Sequence, residues 1–160
     1  MDEQRFQAAL ERQKDRVYRL AWSYCRSEAE DVLQEVFLRY WRAGPEFPDE
    51  ARERAWFLKV AANVCKSRLR TPWHRRVVPL EEDLPAPQPE EDGMALRVQA
   101  LPPGYRAVVH LYYYEGCSVR ACAQALGLSE TAVQTRLQRA REKLRQMMEK
   151  EEKIHGLGEV

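Results

Sequence analysis

At 160 residues the chain has room for one ordinary domain or two small ones, and 32% charged residues with only 7 glycines suit long surface helices better than a sheet. The net charge of +1 conceals an uneven distribution: residues 1–70 carry 14 basic and 12 acidic side chains, residues 71–93 carry 2 and 6, and residues 94–160 carry 10 and 7. No apolar run is long enough to cross a bilayer and MDEQRFQAALERQ lacks the order of a signal peptide, so a soluble, cytoplasmic protein is expected.

Alternation with period two is absent throughout, which predicts an all-α fold of two small helical domains. The first domain, residues 1–70, begins with a helix over Gln4–Cys25 that places Phe6, Leu10, Val17, Leu20, Ala21 and Tyr24 near one stripe. A second helix, Ser27–Arg42, opens on SEAE, in which Ser27 and Glu30 have the spacing of a capping box, and Gly44-Pro45 stops it. Its core face is Val32, Leu33, Val36, Phe37, Tyr40 and Trp41. Opposite stand Asp31, Gln34, Glu35 and Leu38 at i, i+3, i+4 and i+7, an acidic stripe with one exposed leucine. Such a stripe is either solvated or the seat of a partner helix. After the polar loop Glu46–Glu53 a third helix runs to about Arg70 and carries Trp56, Phe57, Val60, Ala61, Val64 and Leu69. Trp56 aligns with Val60 and Val64, which assigns it to the core rather than to a stacking platform. Lys66, Arg68 and Arg70 are either phosphate contacts or plain helix-end cations.

Residues 71–93 hold five prolines and the acidic triplets Glu81-Glu82-Asp83 and Glu90-Glu91-Asp92, the composition of a flexible linker. The second domain, residues 94–153, starts near Met94, and Leu101-Pro102-Pro103 marks a helix boundary. Tyr105–Glu115 reads as one helix stopped by Gly116, Ser118 caps a short helix, and a long helix continues to about Lys150. Residues 154–160, with two glycines, form a fraying tail.

Within SVRACAQALGLSETAVQTRLQRAREKLR, Gly127 supplies the positive φ of a tight helix exit and Ser129 caps the helix that follows. Val119, Ala123, Leu126, Leu128, Val133 and Leu137 have the spacing to pack the two helices together. Gln134, Thr135, Gln138 and Arg139 then face outward. Glutamine pairs with adenine and arginine with guanine or phosphate, so the chemistry is that of a DNA-reading helix-turn-helix; the bland alternative is a helical hairpin with a solvated basic face.

Cys25, Cys65, Cys117 and Cys122 form no CxxC pair and have no histidine pair nearby, so neither a zinc site nor any other metal is expected. Cys25, Cys65 and Cys122 sit at apolar positions and read as small buried hydrophobes of a reducing compartment. His74, His110 and His155 are scattered and no carboxylate pair has a neighbouring nucleophile, so no catalysis and no cofactor are expected.

AEDVLQEVFLRYW, then AWFLKVAANVCKSRLR, then LPPGYRAVVHLYYYEG and the helix-turn-helix resemble, in that order, the extracytoplasmic-function sigma factors of bacterial RNA polymerase. The resemblance implies sigma domain two followed by sigma domain four, joined without domain three. It implies that Asp31, Gln34, Glu35 and Leu38 bind core RNA polymerase. It further implies that the segment 47–54 with Trp56, Lys59, Asn63, Lys66 and Arg70 holds the downstream promoter element. The upstream element falls to Ser129, Thr131, Gln134, Thr135, Arg136, Gln138, Arg139 and Arg141. Ala132 stands where the family usually has threonine. An anti-sigma protein is implied as a regulatory partner. The acidic linker is either a strand for a basic polymerase channel or a solubilising tether. From the residues alone two other readings stay open: a dimeric helix-turn-helix repressor on an inverted repeat, and an interaction module that does not touch DNA.

Overall fold

The computed structural model describes residues 1–70 and 93–158, so the linker expected over 71–93 lies, except for Gly93, outside the described residues. Among the described residues every regular element is helical. The first lobe is α1 (Glu3–Cys25), α2 (Ala29–Ala43) and α3 (Glu50–Leu69), with a single 3₁₀ turn, Arg26–Glu28, between the first two. The second is α4 (Gly93–Gln99), α5 (Pro103–Val109), a π-helical turn His110–Tyr114, α6 (Val119–Leu126) and α7 (Glu130–Gly158).

The helix ends follow from local chemistry. Asp2, Asp49 and Ser118 each accept a backbone N–H at an N-terminus, and Ser129 Oγ accepts from the amide of Ala132 at 3.0 Å. Gly44 and Gly127 end α2 and α6 in the left-handed region, at φ 54° and 67°. Three expectations are corrected. Helix α2 begins at Ala29, and its N-cap residue Glu28 makes no side-chain capping bond, because the 3₁₀ turn takes up the predicted capping box. Trp41, expected in the core, is 46% exposed, because it lies on the rim of the apolar face, edge-on to Phe6 at 5.4 Å. Backbone of α7 stays helical to Gly158, past the expected end near Lys150 and into the segment expected to fray.

The core of the first lobe is aromatic: Phe37, Tyr40 and Phe57 meet at centroid distances of 5.0 to 6.4 Å, with Trp56 on their flank. In the second lobe, fully buried Leu126, Val133 and Leu137 join α6 to α7, as the spacing predicts. Helix α1 packs on α2 and α3 but also on α5, and α3 packs on α6, so the two lobes share a seam.

Gly127 tests the turn. A Cβ there would meet nothing closer than Lys66 Nζ at 3.6 Å, so substitution is penalised by conformation rather than by a clash. Gly127→Ala is expected to lower unfolding free energy by about 1 to 2 kcal/mol, the cost of a left-handed L-residue, read as a lower urea midpoint at constant slope.

Candidate nucleic-acid and partner interfaces

On α2 the acidic stripe is exposed: the side chains of Asp31 and Glu35 are 67% and 37% accessible, and Leu38 is 51% exposed. Gln34 and Leu38 border an apolar groove of about 640 Å³ completed by Phe6, Phe37 and Trp41. The stripe is not merely solvated. Arg68 reaches across from α3 to Glu35 at 3.4 Å and to Asp31 and Glu28 at 3.9 Å, while Arg39 holds Glu35 at 2.9 Å one turn along. Arg68 therefore belongs with the carboxylate stripe and not with the phosphate contacts for which its sequence position suggested it.

Asp49 opens α3 beside a cavity of about 460 Å³ whose walls include Phe47, Tyr40, Arg5, Arg12, Glu50 and Glu53. Arg5 donates to the carbonyls of Gly44 and Pro45, which ties the loop between α2 and α3 to α1. Glu53, buried at the base, accepts two bonds from Arg12 at 2.8 and 2.9 Å and one from buried Gln13 at 2.9 Å. The Arg12 bond, opposed by burial, holds the Glu53 carboxyl below its ordinary range. Trp56 packs half-buried between Tyr40, Phe47 and Phe57, behind the cavity's aromatic residues, so its ring is not a free platform. Lys59, Asn63 and Arg70 are exposed along α3, whereas Lys66 is half-buried.

On α7, Thr131, Gln134, Gln138, Arg139 and Arg141 are exposed, and Thr135 is half-buried at the edge of that face. Gln134, Gln138 and Arg141 fall at i, i+4 and i+7, on one side of the helix. Arg141 is poised by Tyr113, whose hydroxyl accepts from its Nε at 2.7 Å and whose ring lies 5.6 Å from the guanidinium carbon. Arg136 does not share this face. It turns into the seam, so close to α5 that a Cβ on Gly104 would stand 2.9 Å from its Nη1.

The seam itself was not visible to sequence reasoning. A π-helical turn at His110–Tyr114, closed by the amide of Glu115 donating to the carbonyl of His110, swings Glu115 inward. Its carboxylate, 3% exposed, accepts from Arg19 Nε at 3.0 Å and from His110 Nε2 at 3.1 Å, with Arg16 Nε at 3.5 Å. Burial alone would raise its pKa, but the bonds from His110 and Arg19 outweigh it, and the carboxyl sits below its ordinary range. Arg106 adds a second clasp. Its guanidinium donates to the carbonyls of Ser23 and Tyr24 at 2.6 and 3.0 Å, satisfying the open C-terminal end of α1, and to Leu101 at 2.8 Å. Arg26, at φ 60° the one non-glycine left-handed residue among those described, donates to the carbonyl of Gln99.

Closure brings cations of both lobes together. Burial and the charges of Arg136 and Arg70 lower the pKa of Lys66, whose ammonium lies against the Gly127 turn.

The geometry defines a class: a protein of two lobes, all-helical among the described residues, one with an exposed acidic stripe beside an apolar groove and one with a helix-turn-helix. Sigma-70 region 2 matches residues 9–75, and Sigma-70, region 4 matches residues 94–144. The chain is 35% identical over 132 residues to the probable RNA polymerase sigma factor RfaY of Xanthomonas campestris, covering 73% of this chain and 33% of that protein. To the ECF RNA polymerase sigma factor SigL of Mycobacterium tuberculosis it is 35% identical over 130 residues, covering 74% of this chain and 73% of that one. Among solved structures, the sigma factor RpoE in complex with the anti-sigma factor NepR from Bartonella quintana superposes with a TM-score of 0.67 at 20% identity, over 90% of this chain and 96% of that one. CnrH in complex with the cytosolic domain of CnrY gives 0.64 at 26% identity, over 92% and 90%. The chain belongs to the ECF RNA polymerase sigma factors.

The Glu115 cluster makes the seam titratable. A lowered carboxyl pKa contributes stability above the ordinary value of about 4.3 and loses it as pH falls through the folded value. Glu115→Gln keeps the shape, removes the charge, and is expected to cost about 2 kcal/mol, within the range for a hydrogen bond to a charged group. Small-angle scattering at pH 7 should give the variant a larger radius of gyration than wild type, which itself should expand only below the ordinary carboxylate range. An unchanged radius in both tests would show that closure does not depend on the Glu115 charge.

Proposed function

We propose that this chain is a promoter-recognition subunit that docks on core RNA polymerase through α2 and reads two promoter elements with α3 and α7. The observation that carries the reading is a conjunction. Asp31, Gln34, Glu35 and Leu38 stand exposed beside an apolar groove on one lobe, while a capped helix-turn-helix presents Gln134, Gln138, Arg139 and Arg141 on the other.

Each part suits its task. An apolar groove bordered by Gln34 and Leu38, with the carboxylates of Asp31 and Glu35 on the same helix, fits a partner helix with apolar and basic side chains. The cavity beside Asp49 has aromatic walls and polar edges of the kind a splayed base requires, and Lys59, Lys66 and Arg70 follow along α3 for the strand backbone. Gln134 and Gln138 fit base edges, with Arg139 and Arg141 on guanine or phosphate. Arg136 and Lys66 meet in the closed seam, so their use on DNA calls for the lobes to part. Residues 1–70 are thus the polymerase and downstream-element unit, and residues 94–153 the upstream-element unit. The protein acts by binding, without catalysis, in the cytoplasm where polymerase is. Among the described residues no helix is long and apolar enough to cross a membrane. Control by an anti-sigma protein is supported by the complex in which RpoE was solved, with the anti-sigma factor NepR.

Asp31→Arg combined with Glu35→Arg is expected to abolish binding to purified core while helical content stays intact; undiminished binding would refute the α2 assignment. Gln138→Ala should relax base preference at one promoter position by about 1 to 3 kcal/mol, whereas Arg139→Ala should weaken all sequences alike and lower the salt slope by about one. Start-site mapping with core polymerase on genomic DNA tests the whole reading. Failure to initiate anywhere, with a stable dimer on an inverted repeat, would favour a repressor.

A further inference from the structure

The four cysteines are free and buried, and they fall into two pairs with opposite chemistry. Ser118 is the N-cap of α6, so Cys117 is the residue before the cap and Cys122 the fourth helical position. Those positions form the hydrophobic staple, whose side chains meet by construction. Here both are thiols: Cys122 Sγ donates to the Cys117 carbonyl oxygen at 4.0 Å, and the two side chains interact. Cys117 also feels the charges of Arg54 and Arg16 of the first lobe, opposed by Glu115. The Cys122 bond first, and those arginines after it, outweigh burial and bring its pKa down to about 7, while Cys122, as donor, is raised. Cys25 and Cys65 are also hydrogen-bonded, but both are 0% exposed and Cys25 is raised by that bond and by burial. Cys117 is 4% exposed and lies where charges of the first lobe reach it.

We propose that Cys117 and Cys122 are a redox-active dithiol, which a hydroperoxide closes to an intramolecular disulfide at the lobe seam while Cys25 and Cys65 stay reduced. The Cys117 thiolate attacks the peroxide: an S–O bond forms, the O–O bond breaks, and the other oxygen leaves as water or alcohol after taking a proton. The Cys122 thiol then attacks the sulfenic sulfur, S–S forms, and water leaves with the Cys122 proton. The peroxide is reduced by two electrons and the two thiols are oxidised. Oxidation removes a thiolate that faces Arg16 and Arg54, so it loosens the closed seam from the side opposite Glu115.

The test uses the full chain and hydrogen peroxide at pH 7.5, with denaturing alkylation and peptide mass measurement. The peptide containing Cys117 and Cys122 should lose 2 hydrogens, reversibly with dithiothreitol, before either other cysteine reacts. Cys122→Ser should stop at a sulfenic acid trapped by dimedone. Glu115→Gln, by parting the lobes, should speed the reaction several-fold. Oxidation of Cys25 or Cys65 first, or a reduced Cys117 under conditions that fully oxidise glutathione, would overturn the proposal. The wild-type measurement alone decides it should a variant fail to fold.

Discussion

One buried carboxylate organises how this molecule presents its surfaces. Glu115 is drawn inward by the π turn and held by Arg19 and His110, with Arg16 beside it, so that a charge costly to bury is met on three sides. Removing it would leave two arginines of α1 facing a seam built for an anion. With Arg106 on the last carbonyls of α1, it sets which faces of the two lobes look outward.

The α2 stripe and the face of α7 bearing Gln134, Gln138 and Arg139 are open to partners while the lobes are closed. Lys66 and Arg136 are not. Burial first, and then the charges of Arg136 and Arg70, lower the pKa of Lys66 in the seam. Ion pairs such as that of Glu115 with Arg19 offset the opposition of like charges in the closed form. A network of side chains also links the seam to the downstream cavity: Arg16 donates to Gln13 at 2.7 Å, and Gln13 donates to Glu53 at its base.

Features decided within a turn of helix were legible in the sequence. Gly44, Gly127, Ser118 and Ser129 do what their types predict, because capping and left-handed exits depend on neighbours three or four residues away. The α2 stripe and the spacing of Val133 and Leu137 were likewise read from helical period. Pairings distant in sequence were not. Arg68 carries no mark that it will turn to Glu35, nor Glu53 that it will bury under Arg12 and Gln13. HLYYYEG reads as ordinary helix, yet its π turn decides where Glu115 points. Trp41 shows the same limit from the other side, since helical period places it near the core edge but not whether a neighbour covers it.

Donor and acceptor dyes placed on exposed Ser67 and Glu130, one per lobe, read the closed seam and its opening in a single titration. The free protein should show high transfer efficiency, and saturating core RNA polymerase should lower it as the lobes separate. High efficiency that persists in the polymerase-bound state would contradict the claim that the seam opens for function.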